Sequence, residues 1–209
     1  TEAVRVSTAA GSGFLLQLAT LNVTGGSTGL AVINGAVSVS NSASTITTSA
    51  GIGLLCTSGT LNVALATLSA SGGNNGVILD GCAGTVTAAA GTLDSVGGAN
   101  NAVVDLNDGS GSNRINFTYG GSISKTTIGP AVYVQGLTSP GAATFNGAVT
   151  ASNVSGGVAI NNSSRTVTFS SLNLGSSAAR FASTPVALSG NTGAVNLGNL
   201  KIYTNAVTA

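Results

Sequence analysis

One short module recurs along this chain, and its period narrows the possible folds more than any other feature. A small residue or a proline leads into alternating apolar residues. Examples are Gly29-Leu30-Ala31-Val32, Gly53-Leu54-Leu55-Cys56, Gly76-Val77-Ile78-Leu79, Gly157-Val158-Ala159-Ile160 and Pro185-Val186-Ala187-Leu188. With Phe14, Leu30, Leu54, Val77, Val104, Val132, Val158 and Val186 as anchors, the spacings are 16, 24, 23, 27, 28, 26 and 28 residues. Each period holds two further strand-like pieces. One runs through Val37, Leu61, Val86, Phe117, Phe145, Val167 and Val195. The other runs through Ile46, Leu68, Leu93, Ile123, Val149, Leu172 and Leu200. Gly, Asn and Ser clusters separate them, as turns require.

Three short strands in about 25 residues mark a parallel β-helix. The expectation is an all-β, three-faced β-solenoid of 7–8 coils, each stacked on the next at about 4.8 Å. Residues 1–12 read as an N-terminal strand or partial coil and residues 13–209 as a single solenoid domain. The first coil, at 16 residues, should be short. Period-2 alternation sends one residue inward and its neighbour outward. Phe117, Phe145 and Phe169 take equivalent second-strand positions in this reading and should form an inward aromatic stack. A β-sandwich of short strands is the competing fold, but it needs no repeated module.

The composition fits stacked coils. Gly, Ser, Thr and Asn fill 104 of 209 positions, and only 5% of residues are charged. Gly and Asn suit corners that demand positive φ. Like charges in successive coils would face each other, so a near-neutral chain stacks freely. Six cations and a net charge of +1 argue against a nucleic-acid partner. No apolar stretch approaches the length of a transmembrane helix, the absence of His removes imidazole chemistry, and no cofactor is expected.

The outward positions of the first strand read Leu15, Ala31, Leu55, Ile78, Asp105, Tyr133, Ala159 and Ala187. Leu15, Leu55, Ile78 and Tyr133 give this face an apolar packing stripe suited to a partner or a neighbouring coil. The outward positions of the second strand form a ladder of hydroxyls and amides, among them Ser38, Thr60, Asn62, Thr85, Thr87, Asn116, Thr144, Thr166, Thr168 and Asn196. Such a ladder suits ordinary exposed strands and, less well, an ice-binding face. Asp80, Asp105 and Asp108 fall at or just past first strands of adjacent coils. They make the one candidate cation site, a Ca²⁺ site by its oxygen-rich neighbourhood, although Asp105-Leu106-Asn107-Asp108-Gly109-Ser110-Gly111-Ser112 lacks EF-hand spacing. A sugar cleft would need exposed aromatics, for which Tyr119, Tyr133 and Tyr203 are available. No constellation of catalytic residues emerges. Aligning Ser58-Gly59-Thr60 with Ala83-Gly84-Thr85 puts Cys82 one coil above Cys56, so a disulfide between coils is possible; Cys56 as a small buried apolar residue is the alternative.

The stretches Thr45-Ile46-Thr47-Thr48-Ser49-Ala50-Gly51, Gly76-Val77-Ile78-Leu79-Asp80, Gly120-Gly121-Ser122-Ile123-Ser124-Lys125 and Ala143-Thr144-Phe145-Asn146-Gly147-Ala148-Val149-Thr150 resemble the β-strand-repeat regions of very large secreted bacterial surface proteins of the adhesin kind. The resemblance covers residues 13–205. It implies a right-handed parallel β-helix, display at the cell surface or in the extracellular space, and a structural or adhesive role. It carries no catalytic residues. The expected function is a non-enzymatic structural segment that assembles with itself or with neighbouring repeats, end to end or side by side, into a filament or layer. An adhesin or glycan-binding module is the alternative, and a polysaccharide-active enzyme is a third.

Overall fold

The computed structural model describes residues 2–95, 101–107, 113–152 and 156–205. Its regular structure is β throughout, and every strand pairing is parallel. The first face is an eight-stranded sheet whose strands are Glu2–Ser7, Thr28–Ile33, Ile52–Thr57, Val77–Asp80, Val104–Asn107, Val132–Gln135, Val158–Asn161 and Val186–Ser189. Each strand opens one coil, numbered 1 to 8 in this order. The second and third faces belong to one sheet, because several strands run through the corner between them. Thr60–Gly73 in coil 3, Ala142–Ala151 in coil 6 and Val167–Leu174 in coil 7 each serve both faces. The chain is therefore a β-solenoid of about seven turns, as its period predicts.

Coil 1 corrects the expectation of a short first coil. Val4 pairs with Leu30, so the first repeat is 26 residues long. Coil 1 has all its strands, with Leu15–Leu18 on the second face and Asn22–Thr24 on the third. Leu15 pairs with Ala36 and so does not belong to the first-face stripe. The glycine before Phe14 imitates the lead-in of a first strand. The true strand, Ala3-Val4-Arg5-Val6, lacks that lead-in and presents a charge outward.

The inward columns are apolar and continuous. Leu30, Leu54, Val77, Val104 and Val132 stack in register on the first face, and none is measurably exposed. On the third face Ile46, Leu68, Leu93, Ile123, Val149 and Leu172 are likewise buried. The aromatic stack is present, with one correction to its register. Phe145 pairs with Phe169, and their rings stack at 4.8 Å and 9°. In coil 5, however, the partner of Phe145 is Tyr119, and Phe117 pairs with Ala143. A slip of two residues keeps every side chain on its own side of the sheet, so alternation alone does not fix it. Phe117 still reaches Phe145 diagonally, at 5.8 Å and 53°. The Tyr119 hydroxyl donates to the Leu68 carbonyl at 3.0 Å, two coils away. Burial pushes its pKa well above the usual phenol range.

The corner after the first face shows why Gly and Asn recur. One residue past the strand, Asn34, Ser58, Gly81, Gly136, Asn162 and Gly190 all have φ between 51° and 66°. Asn, Ser and Gly tolerate this left-handed turn. Other asparagines satisfy backbone groups between coils. The Asn113 side chain donates to the Leu79 carbonyl at 2.9 Å, and that of Asn191 to the Ile160 carbonyl at 2.7 Å. At the corner between faces two and three, backbones of successive coils nearly touch. A Cβ on Gly121 would strike the Gly91 carbonyl, and one on Gly147 would strike the Gly121 carbonyl.

Candidate functional site

The first face carries a candidate site. Its outward column runs in register through Arg5, Ala31, Leu55, Ile78, Asp105, Tyr133, Ala159 and Ala187. Leu55, Ile78 and Tyr133 therefore do share one stripe, interrupted by Asp105. The next outward column is polar: Thr57, Asp80, Asn107, Gln135 and Asn161 before Ser189. Asp80 sits beside Asn107 and diagonal to Asp105. Asp108, the third member of the candidate Ca²⁺ site, lies outside the described residues. Among the described residues no three His, Cys, Asp or Glu side chains group as metal ligands.

Asp105 opens onto a cavity of about 300 Å³, shared with Ala102, Pro130, Tyr133 and Ala159. Its carboxyl pKa is raised from 3.8 to about 6, first by burial and then by the negative charge of Asp80. Its Oδ1 and the Oδ1 of Asn107 are sealed from solvent with no hydrogen-bond partner among the described residues. Neither oxygen atom therefore receives the donor that normally offsets burial. The Tyr133 hydroxyl donates to Gln135 Oε1, which anchors the outer end of the side chain.

Other candidates separate. Tyr119 is wholly inside and offers nothing to a glycan. Tyr203 lies under the Lys201 ammonium, 5.0 Å from its ring centroid. The second-face ladder is more regular than its sequence suggests. Thr87, Thr118, Thr144 and Thr168 stand in register in four successive coils, continued by Asn196. Thr118 is missed from sequence because of the two-residue slip around Phe117. Lys125 is also missed. It follows Ile123 at the inward spacing and is fully buried, and burial lowers its pKa. Alternation from Ile123 marks it inward, against the usual expectation for lysine.

Cys56 and Cys82 form a disulfide joining coils 3 and 4, with Cα atoms 6.4 Å apart. Cys56 occupies an inward column between Val32 and Leu79, and Cys82 lies at the following corner. Both are buried. No helix is long and apolar enough to cross a membrane among the described residues. Comparison with protein-family models, curated proteins and solved structures gives no match.

Proposed function

We propose that this chain is a structural, non-catalytic solenoid displayed outside the cell, which extends by stacking its end coils on further coils, those of a second copy included. The observation that carries this reading is the state of the two ends. The inward columns are closed in the middle of the rod and open at its ends. Ile160, Leu172 and Leu174 of coil 7 are fully buried, whereas their register partners Leu188, Leu200 and Ile202 in coil 8 are 50%, 42% and 38% exposed. At the other end the inward Val4, Leu16 and Leu18 of coil 1 are only partly buried, although Val6, Leu21 and Val23 beside them are covered.

Both ends also present parallel strand edges, which template further pairing. A rod has polarity, so contact between its unlike ends is heterologous and does not close; such contacts build filaments. The sparse charge of the chain offers little repulsion against association. Leu55, Ile78 and Tyr133 supply the corresponding argument for side-by-side packing. The disulfide accords with an oxidising, extracellular setting.

Sedimentation velocity tests the proposal. The chain should grow in mass with concentration, and a Leu188→Asp, Leu200→Asp double variant should remain monomeric. Both substituted positions are already half exposed, so the fold tolerates the change. A chain that stays monomeric at several hundred micromolar refutes the stacking, as does a double variant that assembles equally well.

A further inference from the structure

We propose that the first-face cavity between coils 5 and 7 binds a cationic amine carried on an apolar stem. This goes beyond coil stacking and does not depend on it. The proposal rests on the cavity and its lining. Ala102, Pro130, Ala159 and the Tyr133 ring make apolar walls, and Asp105 is their one charged member. The ring is held by the Tyr133–Gln135 hydrogen bond. The sealed Asp105 Oδ1 receives no donor among the described residues, so the burial of this carboxyl is left uncompensated at the cavity it lines.

The groups facing Asp105 decide the ligand's charge. The coil below contributes Ile78 in register and Asp80 diagonally, the coil above contributes Tyr133 and Gln135, and its own strand contributes Asn107. Asp80 and Tyr133 are the titratable groups among them. Among the described residues the outward columns of the first face hold no lysine or arginine in coils 4 to 7, so their charge is negative. An anion is repelled. A divalent metal finds too few oxygens, because apolar walls cannot complete its shell. A neutral sugar could accept from or donate to the rim but leaves the carboxylate uncompensated. An alkylammonium matches each element: a charge-assisted bond to Asp105, the face of the Tyr133 ring, and apolar walls for the stem.

Butylammonium chloride is the probe, followed by NMR with carboxyl carbon detection of Asp105. Saturable shifts should appear at Asp105 and Tyr133, and binding should lower the carboxyl midpoint of Asp105 below its starting value near 6. Affinity should fall about tenfold for each unit of pH below that midpoint. Asp105→Asn should weaken binding at least tenfold while circular dichroism shows the fold retained, and Tyr133→Leu should weaken it severalfold. Equal binding of butanol, or of butylammonium to the Asp105→Asn variant, overturns the proposal. So does a response of Asp105 to Ca²⁺ or glucose with none to the amine.

Discussion

Reducing the Cys56–Cys82 disulfide perturbs the solenoid without changing its sequence. The two half-cystines are 26 residues apart and lie in successive coils. Closing a loop of that size removes enough chain entropy from the unfolded state to stabilise the fold by about 3.5 kcal/mol, roughly 400-fold in the unfolding equilibrium. Both residues are buried, 0% and 1% exposed, so reduction leaves two thiols that part only to van der Waals contact inside the same packing, a small change beside the chain-entropy effect. Parallel pairing holds coils 3 and 4 together with or without the bond. A coil touches only its neighbours, so the loss should concentrate locally. Urea unfolding with and without reductant measures it, and native-state hydrogen exchange locates it in Ile52–Thr57, Thr60–Gly73, Val77–Asp80 and Ala83–Ala90. A change in unfolding free energy below about 0.5 kcal/mol would refute the reasoning, as would protection lost evenly along the rod.

Three further outcomes follow from the same packing. Phe145→Ala empties the middle of the aromatic column and should cost about 3–5 kcal/mol by thermal or urea unfolding, whereas Tyr119→Phe, which only removes the donor to the Leu68 carbonyl, should cost about 1–2 kcal/mol. Asp105 holds its proton up to about pH 6 in the fold but only to about 3.8 when free. Between those values the folded chain carries the extra proton, so its stability should fall as pH rises through this window, and Asp105→Asn should flatten the profile; a slope of opposite sign counts against the burial of Asp105. Gly121→Ala should destabilise more than Gly11→Ala, because its Cβ meets the Gly91 carbonyl at 2.3 Å, whereas Gly11 faces open space and costs only the strain of its left-handed φ of 76°, about 1 kcal/mol; a loss at Gly121 no greater than that would contradict the close approach of coils 4 and 5.

The solenoid was legible because the same physical demand recurs in every coil. An inward column must be apolar at each level, so Leu30, Leu54, Val77 and Val104 mark the period by themselves. Register was less legible. Phe117 and Tyr119 both alternate inward, and only the packing of Phe117 over Ala143 decides which of them continues the column of Phe145. The first coil was misplaced because Arg5 replaces the apolar residue seen outward in most later first strands, while Gly13-Phe14-Leu15 imitates the module. The Cys56–Cys82 bond could be anticipated as possible from spacing, but choosing it over a buried thiol needed the stacked geometry. Asp80 and Asp105 could be placed near each other from the repeat. The sealed oxygen of Asp105, its raised pKa and the cavity formed with Pro130 and Ala159 depend on neighbours one and two coils away. Lys125 is instructive in the other direction, since alternation predicts its inward position and only expectations about lysine argue against it.

Electron microscopy of the chain at increasing concentration tests the stacking of open ends most directly. One molecule of eight coils should be a rod about 38 Å long at the spacing of parallel strands. Stacking predicts rods of constant width whose lengths are multiples of that value, and their loss in the Leu188→Asp, Leu200→Asp variant. Uniform single-length rods at every concentration, or aggregates without the rod's width, would contradict it.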